Sequence, residues 1–214
     1  MATIDWMNTS RADVVASLHF SHPKVTSNGM KVMDVASGNK MAVLQTPKLF
    51  APFGCNDKFE PGKFKLLLRL SPTKTGELEK ARVDQFITML KAVDEAVIDY
   101  VFKNQDTVLG LTGKSKELIA DRYTPLVKTK EGREPVLDLK FDFKYEIYNA
   151  AKEAKEIENI TKKSINVALF KMSGIWANSK GFGVSAKIMQ VMTVPGVPEQ
   201  KIQGCAIVDM NEDI

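Results

Sequence analysis

The sequence predicts a mainly β protein with α insertions: a five-stranded barrel carrying one long amphipathic helix. Three observations lead there. Residues 63–70 and 137–147 alternate apolar and polar side chains with a period of two, as strands with one buried face do. Residues 76–103 repeat their apolar positions at helical spacing instead. Turn-forming residues separate most of the other apolar runs, as expected where strands meet through short joints.

In the first forty residues, Ser27-Asn28-Gly29 and Ser37-Gly38-Asn39 are turn chemistry, because Gly and Asn accept positive φ. They frame short strands at 30–35 and 41–45, and the whole segment reads as strands around tight turns. Pro47, Pro52, Gly54, Pro61 and Gly62 punctuate residues 46–62, which read as a loop. That loop carries Phe50, Phe53 and Phe59 beside Lys48 and Lys58. Its rings either plug a barrel end or stand exposed.

The strand at 63–70 puts Phe64, Leu66, Leu68 and Leu70 on one face. Lys63, Lys65 and Arg69 take the other, interrupted by Leu67. Ser71-Pro72-Thr73 ends it and leads into the helix, whose apolar stripe contains Leu78, Val83, Phe86, Leu90, Val97 and Val101. A short helix follows Ser115. Strands at 124–127 and 136–147 flank a polar turn, and Leu137, Leu139, Phe141, Phe143, Tyr145 and Ile147 share the face expected in the core. Residues 149–163, rich in Ala, Lys and Glu, read as an exposed helix or loop. Strands then run from 165 to 176 and from 182 to 194, joined by a turn at 177–181 and ended by Pro195 and Pro198. This order gives an OB-type Greek-key barrel over residues 1–198, with an N-terminal strand extension and an inserted helix, followed by a short acidic tail at 199–214.

The chain has 214 residues, 44% hydrophobic and 26% charged, enough for one large domain with a real core. Cys55 and Cys205 lie far apart, which fits a reducing, intracellular setting better than a disulfide framework. Residues 1–6 carry no basic segment leading into an apolar run, and no stretch approaches the ~20 apolar residues that cross a bilayer. A soluble protein without membrane association is expected. If the chain is viral, its place is the site of viral DNA replication in the host cell.

Catalytic and cofactor motifs fail on inspection. Gly110-Leu111-Thr112-Gly113-Lys114-Ser115 resembles the end of a phosphate-binding loop, but Val108 stands where that loop needs its first glycine. A plain turn with a helix cap at Ser115 is the alternative. His19 and His22 have no cysteine beside them, and Asp138 and Asp142 are interleaved with Lys140 and Lys144, as on a solvated face. No local nucleophile signature occurs. The expectation is a non-enzymatic protein with no metal and no cofactor.

The net charge of +4 is unevenly distributed. Residues 40–82 are +5, and residues 162–198 hold five lysines and no acid. Residues 83–102 and 199–214 are each −3. Such asymmetry points to a polyanionic partner, against the plainer reading of scattered solvating charge. Single-stranded nucleic acid needs cations near phosphates and aromatic faces for its bases. Lys171, Trp176, Lys180, Phe182 and Lys187 meet both needs within the acid-free segment. Gly183, Ser185 and Lys187 form one side of the last strand, where small residues either let a backbone ligand approach or serve barrel curvature. Trp176 fits either a core or a stacking position.

Here a resemblance enters. Ser173-Gly174-Ile175-Trp176-Ala177-Asn178 followed by Gly181-Phe182-Gly183-Val184-Ser185-Ala186-Lys187-Ile188-Met189-Gln190-Val191 resembles the C-terminal barrel strands of phage-type single-stranded-DNA-binding proteins, with similar sequences in large eukaryotic DNA viruses. The order of elements over most of residues 41–194 matches too. The resemblance implies sequence-tolerant binding of single-stranded DNA in viral replication, recombination or repair. Lys63, Lys65, Arg69, Lys171, Lys180 and Lys187 would then meet phosphates, and Trp176, Phe182, Phe50 and Phe53 would stack bases. It also implies an acidic tail that recruits replication proteins, with Asp209, Glu212, Asp213 and Ile214 as counterparts. This tail is far shorter than the family's, and an ordinary hydrophilic terminus is the alternative. Oligomeric state stays open, a homo-oligomer included. A viral structural or protein-interaction barrel without nucleic-acid binding is the competing reading.

Overall fold

A computed structural model describes residues 2–4, 7–38, 40–57, 62–73 and 76–194. Trp6, Lys58, Phe59, Cys205 and the tail residues Asp209, Glu212, Asp213 and Ile214 lie outside the described residues.

Period-two alternation builds the barrel. Its strands are β1 (Leu49–Ala51), β2 (Lys65–Arg69), β3 (Arg133–Asn149), β4 (Ser164–Ala177) and β5 (Phe182–Val194). β1 pairs antiparallel with β2 at Phe50 and Arg69, and β2 antiparallel with β3 from Lys65–Lys140 to Arg69–Val136. β3 runs parallel to β5, β5 antiparallel to β4, and β4 closes the ring antiparallel to β1. This closed circuit of five strands is the OB-type barrel the sequence predicts. Leu66, Leu68, Leu137, Leu139, Phe170 and Ile188 are fully buried inside it.

The segment Lys40–Gln45 leads into β1 and pairs along β4. Short strands at Lys31–Met33, Val35–Ser37 and Leu18–Phe20 extend the sheet from there. The N-terminal region also holds a helix, α1 (Arg11–Ser17), where only strands and turns were expected. Ser10 caps it by accepting from the Asp13 backbone N–H at 3.1 Å. Ser10-Arg11-Ala12-Asp13 is the signal for that start, a short side chain followed three residues later by an acid.

The long helix, α2 (Glu77–Lys103), matches its expected span. Val83, Phe86, Leu90, Val97 and Val101 are buried at helical spacing, whereas Leu78 in the first turn is exposed. α2 also buries Asp94, which accepts from the Tyr123 hydroxyl at 2.6 Å and from the Leu126 N–H at 3.1 Å. Tyr123 in turn packs on Phe182 of β5, with ring centroids 5.2 Å apart. Asp94 thus ties the helix to the barrel through a polar contact in an apolar seam.

Gly110 adopts a left-handed conformation at φ 67° and stops a short helix, and Ser115 caps the next by accepting from the Leu118 N–H. The loop that resembled a phosphate cradle is therefore a turn between two helix ends. Residues 149–163 form no α-helix and run mostly as an exposed loop with two short ordered pieces. Ala154–Lys155 pairs back on the end of β3, and Ile157–Asn159 forms a 3-10 turn anchored by buried Ile157.

Alternation in β3 breaks once. Phe141 stands opposite Ile188 of β5 and Glu146 opposite Gln190, so residues 142–145 face Met189 alone. This wide bulge turns Phe143 out of the core face assigned to it, to 95% exposure. No helix among the described residues is long and apolar enough to cross a membrane, and no group of three metal-ligating side chains occurs among them.

Candidate nucleic-acid interface

The outer face of the barrel is set by the residues that alternate with the core. On β2, Lys65, Leu67 and Arg69 alternate with buried Leu66 and Leu68. On β5, Gly183, Ser185 and Lys187 alternate with Phe182, Ala186 and Ile188. Strand register then brings four lysines into one line. Lys65 stands opposite Lys140, Lys140 opposite Lys187, and Lys187 opposite Lys171. At ~4.8 Å per strand the row is about 14 Å wide.

Like charges in facing positions repel. One acid, Asp142, reaches the row: its carboxylate pairs with Lys171 and lies 3.9 Å from Lys187. Burial alone would raise the Asp142 pKa. The Lys171 hydrogen bond, the Phe143 backbone N–H and the charges of Lys171 and Lys187 together hold it below the usual carboxylate value. Lys65 and Lys140 make no ion pair among the described residues. The neighbouring acids are already engaged. Asp138 takes Lys128 at 2.7 Å, and Glu146 takes Gln190 at 2.7 Å and the Tyr148 hydroxyl at 3.0 Å. Among the described residues, the four lysines of the row thus share one carboxylate.

Toward one end of the strands the face is lined by small residues. Gly174 stands opposite Ser185, and Trp176 opposite Gly183. A β-carbon on Gly183 would lie 3.0 Å from the Trp176 ring and 3.0 Å from the Thr124 carbonyl oxygen. Gly183 is thus the seat of the indole, and the space beside it is taken by the protein's own ring and the Thr124 backbone. Trp176 is half-buried, with part of its ring left to solvent. From Gly183 to Lys187 is about 13 Å along the strand. Toward the other end, a groove of about 350 Å³ is lined by Val167, Leu169, Tyr148, Met192, Gln45 and Lys152.

The remaining expected site residues fall into three groups. Lys63 and Phe53 are exposed in the β1–β2 connection, and Lys180 is exposed in the β4–β5 turn. Arg69 and Phe50 are together but already occupied. The guanidinium lies 5.1 Å from the Phe50 ring centroid and pairs with Glu134 at 2.9 Å. Phe182 is a correction: it is fully buried against Tyr123, so its ring cannot receive a base. Lys171 is only 19% exposed and spends its charge on Asp142. Burial, and then the charges of Asp57 and Glu158, push the thiol of half-buried Cys55 up to about 12.

Sequence reasoning missed two members of this face. Lys140 was legible as an outward residue, but its place beside Lys187 follows from the parallel β3–β5 pairing, which no local pattern encodes. Phe143 was hidden by an alternation that the fold interrupts.

The chain is similar in shape to phage single-stranded-DNA-binding proteins. The protein from bacteriophage Enc34 superposes with a TM-score of 0.48 at 13% identity, covering 86% of this chain and 96% of that one. Its complex with single-stranded DNA gives 0.46 at 12% identity, covering 81% and 94%. The single-stranded-DNA-binding protein gp2.5 of bacteriophage T7 gives 0.41 at 12% identity, covering 76% and 98%. No family model and no curated protein matches the sequence.

Proposed function

We propose that this protein binds single-stranded DNA without strong sequence preference, on the outer face of β2, β3, β5 and β4. The row Lys65–Lys140–Lys187–Lys171 is the observation that carries the reading. Four ammonium groups in line against one carboxylate make a linear anion the natural ligand. Small OB barrels bind oligonucleotides across their second and third strands and the β1–β2 and β4–β5 loops. Lys63 and Phe53 occupy the first of those loops, and Lys180 the second. The phosphates would follow the lysine row, and Trp176 and Phe53 would offer rings to bases.

Titration of a fluorescent oligo-dT by anisotropy, against duplex DNA of equal length at low and moderate salt, tests the reading. Salt-sensitive binding that favours the single strand is expected, with a slope of ~0.7 per phosphate contact on a log–log plot. No binding at low salt would overturn it and favour a barrel that meets a protein partner.

A further inference from the structure

We infer that Phe143 is a base-stacking residue, held out on a preformed finger beside the lysine row. The inference rests on the single-stranded-DNA reading and adds an aromatic contact that Phe182 cannot supply.

A phenyl ring gains roughly 1.5–3 kcal/mol from burial. Phe143 forgoes it at 95% exposure, on a strand whose neighbouring aromatics Phe141 and Tyr145 pack against the core. Four residues of β3 against one of β5 lift it there.

The finger is pinned at both feet. At one, Asp142 pairs with Lys171 and approaches Lys187. At the other, Tyr145 packs edge-on against Phe141, with ring centroids 4.8 Å apart at 72°. Backbone held on both sides of the ring loses little freedom on binding, which favours a stacking platform.

Its surroundings identify the occupant. Lys144 follows on the finger and is exposed, and Lys140 of the row precedes it on the same strand. The Phe141 N–H donates to the Phe64 carbonyl at 3.2 Å, which brings the chain at Lys63 to the foot of the finger. A bare aromatic ring with Lys144 beside it, Lys140 three residues before it and its neighbouring acid Asp142 paired to Lys171 fits a nucleobase whose phosphates those lysines meet.

The experiment compares Phe143→Ala, Phe143→Leu and Phe143→Trp in oligo-dT anisotropy titrations over a salt series. Phe143→Ala should weaken binding about 5- to 150-fold, the range for one stacked base, with the salt slope unchanged. Phe143→Leu should weaken it comparably, because it keeps apolar area but has no π face. Phe143→Trp should retain affinity and show quenching on binding. Equal affinity of Phe143→Ala and wild type, or full rescue by leucine, would overturn the assignment while leaving the DNA reading intact. Failure of the wild type to bind at low salt would remove both. Because the ring is exposed, thermal melts of all three variants should match the wild type.

Discussion

Asp142 places its carboxylate on the ammonium of Lys171, at the end of a row where four lysines meet across four strands. The pair is mostly shielded, with Asp142 17% and Lys171 19% exposed. On the proposed DNA-binding reading, the carboxylate competes with a phosphate for Lys171. Asp142→Asn should free Lys171, tighten oligo-dT binding several-fold and steepen the log–log salt slope by ~0.7. The same change should lower stability by about 1 kcal/mol, since the lysines then repel without relief. Salt-dependent anisotropy and urea denaturation separate the two effects. Weaker binding by the variant would mean that Asp142 orients the lysines rather than competing with DNA.

Lys140 faces Lys187, whose ammonium lies at 3.9 Å from Asp142, well outside hydrogen-bond reach. Lys140→Ala and Lys187→Ala should each weaken binding and reduce the salt slope by ~0.7, whatever the oligonucleotide sequence. Arg69→Ala should do less, because its charge is already shared with Glu134 and Phe50. Equal losses for all three would argue for a diffuse cationic surface instead of a defined row.

Gly183 and Trp176 can be tested through each other. A methyl group on Gly183 would meet both the indole and the Thr124 backbone at 3.0 Å. Gly183→Ala should cost about 1–3 kcal/mol in stability and move the indole outward. In a Trp6→Phe background, which leaves Trp176 as the sole tryptophan, the emission maximum should shift to the red. An unchanged spectrum would mean that the Thr124 strand gives way and the indole does not.

Local pattern carried the barrel well and the site poorly, for one physical reason. The faces of β2 and α2 follow from periods of 2 and 3.6, which neighbouring residues encode. Lys65 and Leu66 take the sides their alternation assigns, and Phe86 and Leu90 are buried as their spacing requires. The lysine row depends on register between strands far apart in sequence, as with Lys65 against Lys140 and Lys140 against Lys187. The ends of Phe143 and Phe182 differ for the same reason. Both sit in apolar alternation, but a bulge expels one, while Tyr123 and the barrel interior cover the other. Helix α1 was missed because its seven residues are too few for a periodic signal, although its Ser10 cap was readable.

Asp94 makes stability depend on pH in an unusual direction. It lies 7% exposed on α2, and burial raises its pKa from an ordinary 3.8 to about 6, against the lowering effect of its bonds from Tyr123, Leu126 and Val127. The folded protein thus holds this proton more tightly than the unfolded chain does. Below about pH 3.8 both states are protonated and the group is neutral in each. Between there and pH 6 the unfolded chain releases the proton first, so unfolding becomes more favourable as pH rises. The stabilising contribution is present at the acid end and lost through pH 6. Its size is up to roughly 3 kcal/mol, at about 1.4 kcal/mol per pKa unit. Carboxylates with lowered pKa, such as Asp142, act in the opposite sense at more acid pH. The group must therefore be isolated by difference. Urea denaturation of wild type and Asp94→Asn at intervals from pH 4 to pH 7.5 should show the wild type losing stability relative to the variant as pH rises through 6. A difference that stays flat would mean Asp94 is ionised in the fold throughout, its charge fully compensated by the Tyr123 hydroxyl and the Leu126 N–H.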